Sequence, residues 1–233
     1  MIDFTEKSEY GFYDLVRLVA ALRGPGGCPW DQVQTHQSIR RNFLEEAYEA
    51  SEALDQDDPD HLREELGDVL LQVVFHAGIE ADAGRFDVDG VCDGVCRKLI
   101  ARHPHLFDQS RSRMDWEDLK RLQRGNQTVS QAMEGVCQAL PALWRADKLL
   151  SMAEKSGLCP SDPKSAEAAL TEQVAALCAA RTPDGRGLGQ TLFALVRFAR
   201  CAGLDPETAL AQTCQQFIDS FSEREAAASK AEK

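Results

Sequence analysis

Five carboxylates occupy two short stretches of the sequence that are otherwise rich in apolar residues. Glu45, Glu46 and Glu49 come first, and Glu65 and Asp68 follow after a spacer of fifteen residues. On a helix, residues three apart share a face, which places Glu46 beside Glu49 and Glu65 beside Asp68. The short polar turn between the stretches predicts two antiparallel helices, which would bring these two pairs together in one groove.

A groove of this kind concentrates negative charge. Two carboxylates about 4 Å apart repel by roughly 4 kcal/mol at an effective dielectric constant of about 20, so the cluster must raise its own pKa values or bind a cation. Oxygen ligands suit Mg²⁺, whereas zinc prefers His or Cys, and neither pair has the Glu-x-x-His pattern of a di-iron bundle. The alternative is ordinary surface charge, with Arg41 and Arg63 as local ion-pair partners.

Helical periodicity dominates the elements that must position these acids, and no convincing strand alternation occurs. Asp58-Pro59 and Asp205-Pro206 have the pattern of an N-cap followed by proline at the first helical position, and Gly84 supplies a C-terminal stop. The stretch 108–131 is interpreted as a polar connector with a short helix at 116–124. The sequence therefore predicts an all-α protein, with helices at 10–22, 36–54, 59–83, 88–104, 141–156, 165–181, 187–202 and 206–228.

The two halves of the chain resemble each other. The segment ELGDVLLQVV at 65–74 aligns with GLGQTLFALV at 187–196, and LEEAYEA at 44–50 aligns with TEQVAAL at 171–177. The apolar frame recurs in the second copy, but only one of the acids does. The aligned positions there carry Glu172, Gln173, Ala176, Gly187 and Gln190, and Gln216 and Ser220 stand opposite Lys98 and Arg102. We expect the second copy to be catalytically silent and structural.

The order of the motifs resembles the MazG-type nucleoside triphosphate pyrophosphohydrolases. The resemblance rests on five blocks and on the weaker second copy, which follows LPALWRADK at 140–148. The blocks are GCPWD at 27–31, LEEAYE at 44–49, ELGDVLLQVVF at 65–75, GRFD at 84–87 and KLIARHPHLF at 98–107. The acidic motif alone is moderately specific, whereas five blocks in this order are highly specific.

This resemblance implies Mg²⁺-dependent hydrolysis of a nucleoside triphosphate to the monophosphate and pyrophosphate, with house-cleaning of the nucleotide pool as a candidate role. It implies Glu46, Glu49, Glu65 and Asp68 as metal ligands, with Glu45 beside them or orienting the attacking water. The implied fold is all-α, with tandem helical-bundle repeats of MazG type that form a homodimer. Residues 1–125 would be the catalytic domain, and residues 126–233 the degenerate structural copy.

The triphosphate also needs positive side chains, which an acidic pocket does not supply. Lys98 and Arg102 lie four residues apart on one helix face and are the predicted phosphate contacts, with surface solubility as the alternative. Trp30 is either a platform on which a base stacks or an anchor in the core.

Composition limits the class of partner. The net charge of -12 and a pI near 4.9 argue against nucleic acid or an anionic membrane as the main partner. Eight cysteines without a CxxC pair, and no apolar stretch of the ~20 residues that span a bilayer, predict a cytoplasmic protein with reduced thiols. Two alternatives remain open: a dUTPase-like or phosphoribosyl-ATP-cleaving relative, and an inactive nucleotide-binding or scaffolding helical dimer.

Overall fold

The computed structural model describes residues 4–107, 128–159, 162–180, 182 and 184–231 of the chain. The chain divides into two compact units, Met1–Lys120 and Arg121–Lys233. Every regular element among the described residues is an α-helix, which confirms the predicted all-α class. The predicted short helix at 116–124 lies outside the described residues.

The first unit contains six helices within its described part. Their bounds are α1 Phe12–Arg23, α2 Pro29–Gln32, α3 Arg40–Gln56, α4 Pro59–Asp82, α5 Val88–Arg102 and α6 Pro104–Phe107. The core forms where α1 packs on the second half of α4, because the apolar face of α1 covers Val74, Phe75 and Ala77 there. Val19 of α1 and Val88 at the start of α5 complete the buried cluster with Ile39.

Helices α3 and α4 form an antiparallel hairpin, and its tight turn follows from the local sequence. Asp57 ends α3 in the left-handed conformation with φ of 54°, which Asp tolerates better than most residues. The side chain of Asp58 accepts hydrogen bonds from the backbone N–H groups of Asp60 and His61, each at 3.0 Å. Pro59 occupies the first turn, so the predicted N-cap and proline are confirmed.

Helix α3 begins at Arg40, four residues later than the sequence predicts. Ser38 donates a hydrogen bond from its hydroxyl to Gln34 and also accepts one from the backbone N–H of Thr35. Such side-chain bonds offer the backbone an alternative to the helix. The residues before Arg40 therefore form a turn, and the helix starts only where these bonds end.

The second unit contains five helices among its described residues. They are α7 Val129–Glu134, α8 Ala142–Lys155, α9 Pro163–Ala179, α10 Gly185–Cys201 and α11 Pro206–Ala231. Helices α9 and α10 pack along each other, and Arg200 of α10 forms ion pairs with Asp147 and Glu154 of α8, at 2.9 Å and 2.7 Å. Asp205 caps α11 by accepting from the N–H groups of Glu207 and Thr208, as predicted.

Across the described helices, none combines the length and the apolar composition that crossing a bilayer requires.

Candidate active site

Three of the predicted carboxylates meet between α3 and α4. Glu46, Glu49 and Glu65 each contribute an oxygen to a group in which all of these oxygens lie within 4.8 Å of one another. Glu46 and Glu65 are half-buried, whereas Glu49 is exposed. Helix α4 approaches α3 closely here, because the buried residues Ala50 and Ala53 of α3 have small side chains. An all-oxygen group open to solvent on one side suits a hard dication such as Mg²⁺.

The electrostatics of Glu46 show how strongly these charges interact. Its pKa is raised, first by burial and then by the negative charges of Asp68 and Glu49. Asp68 is not one of the three residues in the tight group, yet its charge is the largest electrostatic contribution at Glu46. The four predicted ligands thus occupy one negatively charged region, in which protonation or a bound cation would relieve the repulsion.

The structure adds His61 to this site, a residue that is not among the predicted site residues. Its Nε2 lies 3.1 Å from Oε1 of Glu65, one helical turn away, and the Glu65 side chain is only 12% exposed. An imidazole in contact with a carboxylate can hold that carboxylate in one orientation, as outer partners commonly do around metal ligands. The spacing of four residues was the available signal, because such residues face each other on a helix.

Glu45 is not one of the three carboxylates in this group. Its side chain is about half exposed, and one of its oxygens is 4.0 Å from Nε of Arg41, which is almost fully exposed. Neighbouring residues on a helix point about 100° apart, so Glu45 and Glu46 leave α3 in different directions. A role in orienting the attacking water therefore stays a prediction for Glu45.

A second polar network lies farther along the same hairpin. The Nδ1 atoms of His36 and His76 are 2.7 Å apart, and Nε2 of His36 contacts the carboxylate of Glu80, which also pairs with Arg85. Burial and the neighbouring His36 lower the pKa of His76. Arg85 is the main cause that lowers the pKa of Glu80 to about 2. Glu80 is therefore ionised near pH 7 and can only accept a hydrogen bond, so Nε2 of His36 is the donor in their contact. The lowered pKa of His76 keeps that imidazole neutral near pH 7.

This network lines one side of a cavity of about 430 Å³. Its other walls are apolar and come from Phe43 of α3, Phe86 and Val91. Phe43 lies one turn before Glu46 on the same helix and packs edge-on against His76, with ring centroids 5.7 Å apart. A cavity of this size with aromatic walls and a few polar groups is typical of sites for small planar ligands.

The predicted substrate-binding residues lie on other elements. Trp30 is in α2 with 57% of its surface exposed, so it does not anchor the core of its unit. Lys98 is exposed and Arg102 is half-buried, in the last turns of α5. Their contact with phosphate stays a prediction, and so does stacking of a base on Trp30.

The fold and the acidic groove define an all-α protein with a candidate cation site on an antiparallel helix pair. Residues 34–107 match the family model of the MazG nucleotide pyrophosphohydrolase domain. The matched segment contains α3, α4, α5 and α6, and thus all five predicted acidic residues.

Curated relatives extend the similarity over most of the chain. It is 38% identical to the nucleoside triphosphate pyrophosphohydrolase/pyrophosphatase MazG of Thermotoga maritima, over 92% of this chain and 85% of that protein. It is 35% identical to the nucleoside triphosphate pyrophosphohydrolase of Escherichia coli strain K12, over 91% of this chain and 86% of that protein. A protein of the same name from Mycolicibacterium smegmatis is 41% identical over 62% of this chain and 46% of its own length.

The chain therefore belongs to the MazG family and is an enzyme of the nucleotide pyrophosphohydrolase class. This confirms the family resemblance that the five sequence blocks indicate.

Proposed function

We propose that this enzyme hydrolyses nucleoside triphosphates to the monophosphate and pyrophosphate with Mg²⁺ bound by Glu46, Glu49, Glu65 and Asp68. The observation that carries the proposal is the group of three carboxylate oxygens within 4.8 Å on the α3–α4 hairpin. Family membership supports the reaction class, and the absence of nitrogen or sulfur from this group favours a hard cation.

The residues of the groove fit Mg²⁺ because they carry more negative charge than they can balance themselves. Burial, together with that imbalance, raises the pKa of Glu46. When bound, the cation would neutralise charge on the phosphates and activate or position the attacking water. Glu46, Glu49, Glu65 and Asp68 would hold it, and His61 would keep the Glu65 carboxylate in the orientation that the site needs.

Lys98 and Arg102 are the proposed contacts for the phosphate oxygens, and Glu45 is the proposed residue that orients water. For the base, the cavity beside Phe43 and His76 is a second candidate besides Trp30, because Phe43 in its wall lies one turn from Glu46. A Trp30→Ala variant and a Phe86→Ala variant separate these possibilities. Replacing the residue that contacts the base should raise KM for nucleotides without a matching fall in kcat, because binding that is equal in the ground state and the transition state is lost.

The working form is proposed to be a cytoplasmic homodimer, with house-cleaning of the nucleotide pool as its role. Helix α5 exposes Val91, Val95 and Leu99 along one side, at spacings of four residues. An apolar stripe of this kind is costly in water and suits a subunit interface. Light scattering coupled to size exclusion would measure the mass, and a Val95→Glu variant should shift a dimer towards monomer.

The deciding experiment is turnover of a panel of canonical and damaged nucleoside triphosphates with Mg²⁺, with separate detection of pyrophosphate and orthophosphate. Pyrophosphate together with the monophosphate is the expected result. Orthophosphate alone would refute the proposed bond cleavage. Binding of nucleotide without any product would favour the inactive nucleotide-binding or scaffolding dimer.

A further inference from the structure

The second unit contains a cavity of about 530 Å³ beside the α9–α10 pair. Leu150 and Phe193 give it apolar walls, and its polar lining comes from Gln173, Gln190 and two arginines, Arg186 and Arg197. Gln173 aligns with Glu46 and Gln190 aligns with Asp68 in the sequence repeat. Neutral amides thus line this cavity where the first unit has carboxylates.

The charge of this cavity is unusual for the chain, which carries a net charge of -12. Among the residues that line it, two are arginines and none is Asp or Glu. Gly185 and Arg186 belong to the first turn of α10, whose free N–H groups add partial positive charge. Asp184 lies at the same helix end, and its carboxylate accepts a hydrogen bond from the N–H of Gly187 at 2.7 Å.

In the described part of the structure, neither Arg186 nor Arg197 forms an ion pair with a carboxylate, whereas the nearby Arg200 does. Arg197 is half-buried, and its guanidinium donates one long hydrogen bond, 3.3 Å, to the hydroxyl of Ser165. Arg200, one turn further along α10, is instead ion-paired with both Asp147 and Glu154. A half-buried guanidinium beside a cavity, with donors to spare, is suited to an anionic ligand.

We propose that this cavity binds a phosphate-bearing anion, a di- or triphosphate group, without a metal ion. Guanidinium groups match phosphate oxygens bidentately, and the amides of Gln173 and Gln190 supply further donors. The cavity volume lies within the usual range for small-molecule sites. Two ligands share this chemistry, free pyrophosphate and the polyphosphate chain of a nucleotide. This site goes beyond the proposed hydrolysis, because it is metal-independent and lies in the unit predicted to be silent.

The test is calorimetric titration of the full chain with pyrophosphate, ATP and adenosine in the presence of EDTA, which removes metal-dependent binding by the first unit. We expect saturable binding of pyrophosphate, ATP or both. An Arg197→Gln variant should weaken it about tenfold or more, since a charge-assisted hydrogen bond is lost. Arg224→Gln removes an equal charge from an exposed position on α11 and is the matched control, with affinity unchanged.

A second variant keeps the test independent of charge. A Cβ added at Gly189 would meet no atom within 4 Å, so Gly189→Leu should extend into the cavity and block it. Leu is also a better helix former than Gly, which protects the fold.

Binding of ATP but not pyrophosphate would identify the nucleotide as the source, and the reverse would identify free pyrophosphate. No saturable binding, binding of adenosine alone, or equal losses in Arg197→Gln and Arg224→Gln would overturn the proposal. Loss of binding in a Glu46→Gln, Glu49→Gln variant would overturn it as well, because the ligand would then sit in the first unit. Turnover with Mg²⁺ tests the proposed hydrolysis separately.

Discussion

The helix pairs α3–α4 and α9–α10 keep similar buried positions and differ in the residues that line their grooves. Val74 and Val196 align in the sequence, as do Ala77 and Ala199, and all four are buried. The grooves have opposite character, since carboxylates cluster between α3 and α4 and arginines and amides line the cavity beside α9–α10. Packing therefore constrains the buried face of such a pair without fixing what its polar residues bind.

The largest expected effect comes from removing a predicted metal ligand of the first pair. Glu49→Gln or Asp68→Asn should lower kcat by more than about 100-fold, because even partners outside the metal's own ligands contribute 10–100-fold. Folding should be little changed, since carboxylate repulsion is relieved. Glu172→Gln is the matched control at the residue aligned with Glu45 and should leave kcat unchanged. A large loss in this control, with the fold intact, would mean that the second unit is the working one.

Mg²⁺ should raise the melting temperature by binding to the α3–α4 pair alone. At a concentration of 100 times Kd, binding to the folded state adds about 2.7 kcal/mol to the free energy of unfolding. Scanning calorimetry with and without Mg²⁺ should show this increase in the original chain and in Glu172→Gln. The Glu46→Gln, Glu49→Gln double variant should show little of it. An equal increase in all three would indicate a nonspecific effect of the cation on the acidic surface.

His61→Ala should have an intermediate effect, because its predicted role is to orient Glu65 rather than to touch the substrate. We expect affinity for Mg²⁺, measured by the concentration that gives half-maximal turnover, to fall about 10–100-fold. Arg63→Ala removes an exposed pair with Asp60 in the same turn of α4 and serves as the control. Unchanged Mg²⁺ dependence in His61→Ala would show that the contact with Glu65 is incidental.

The smallest expected effect concerns pH and the His36–His76–Glu80 network. Both His76 and Glu80 have folded pKa values below their ordinary values of 6.5 and 4.5. The folded state therefore binds fewer protons, and stability rises with pH. The contribution of His76 is complete above pH 6.5 and is lost as the pH falls through its folded pKa. The contribution of Glu80 is complete above pH 4.5 and is lost as the pH falls towards about 2.

Urea unfolding between pH 7.5 and pH 5.5 isolates the part of this effect that His76 causes, since Glu80 stays ionised throughout that range. The original chain should lose more stability over this interval than His76→Gln, by a small margin that shifts the unfolding midpoint only slightly. Identical losses in the two proteins would show that another group titrates.

Local patterns in the sequence were sufficient for the long helices and for several of their ends. Asp58, Pro59 and Gly84 act within one turn of the backbone, so their roles follow from the residue types alone. The main error was the start of α3, because the hydrogen bonds of Ser38 with Gln34 and Thr35 outweigh the apolar periodicity there. The short helices α2, α6 and α7 were missed, since four to six residues are too few to produce a periodic pattern.

The sequence by itself determined the all-α class, the acidic motif and the family, because these depend on residue types at fixed spacings. Only the tertiary structure decided which acids meet, with Glu46, Glu49 and Glu65 in one tight group that does not include Glu45. It alone paired His36 with Glu80, 44 residues apart, and gathered Arg186 and Arg197 around a cavity without carboxylates. Such contacts depend on the rotation and crossing of packed helices, which the burial of many side chains sets together.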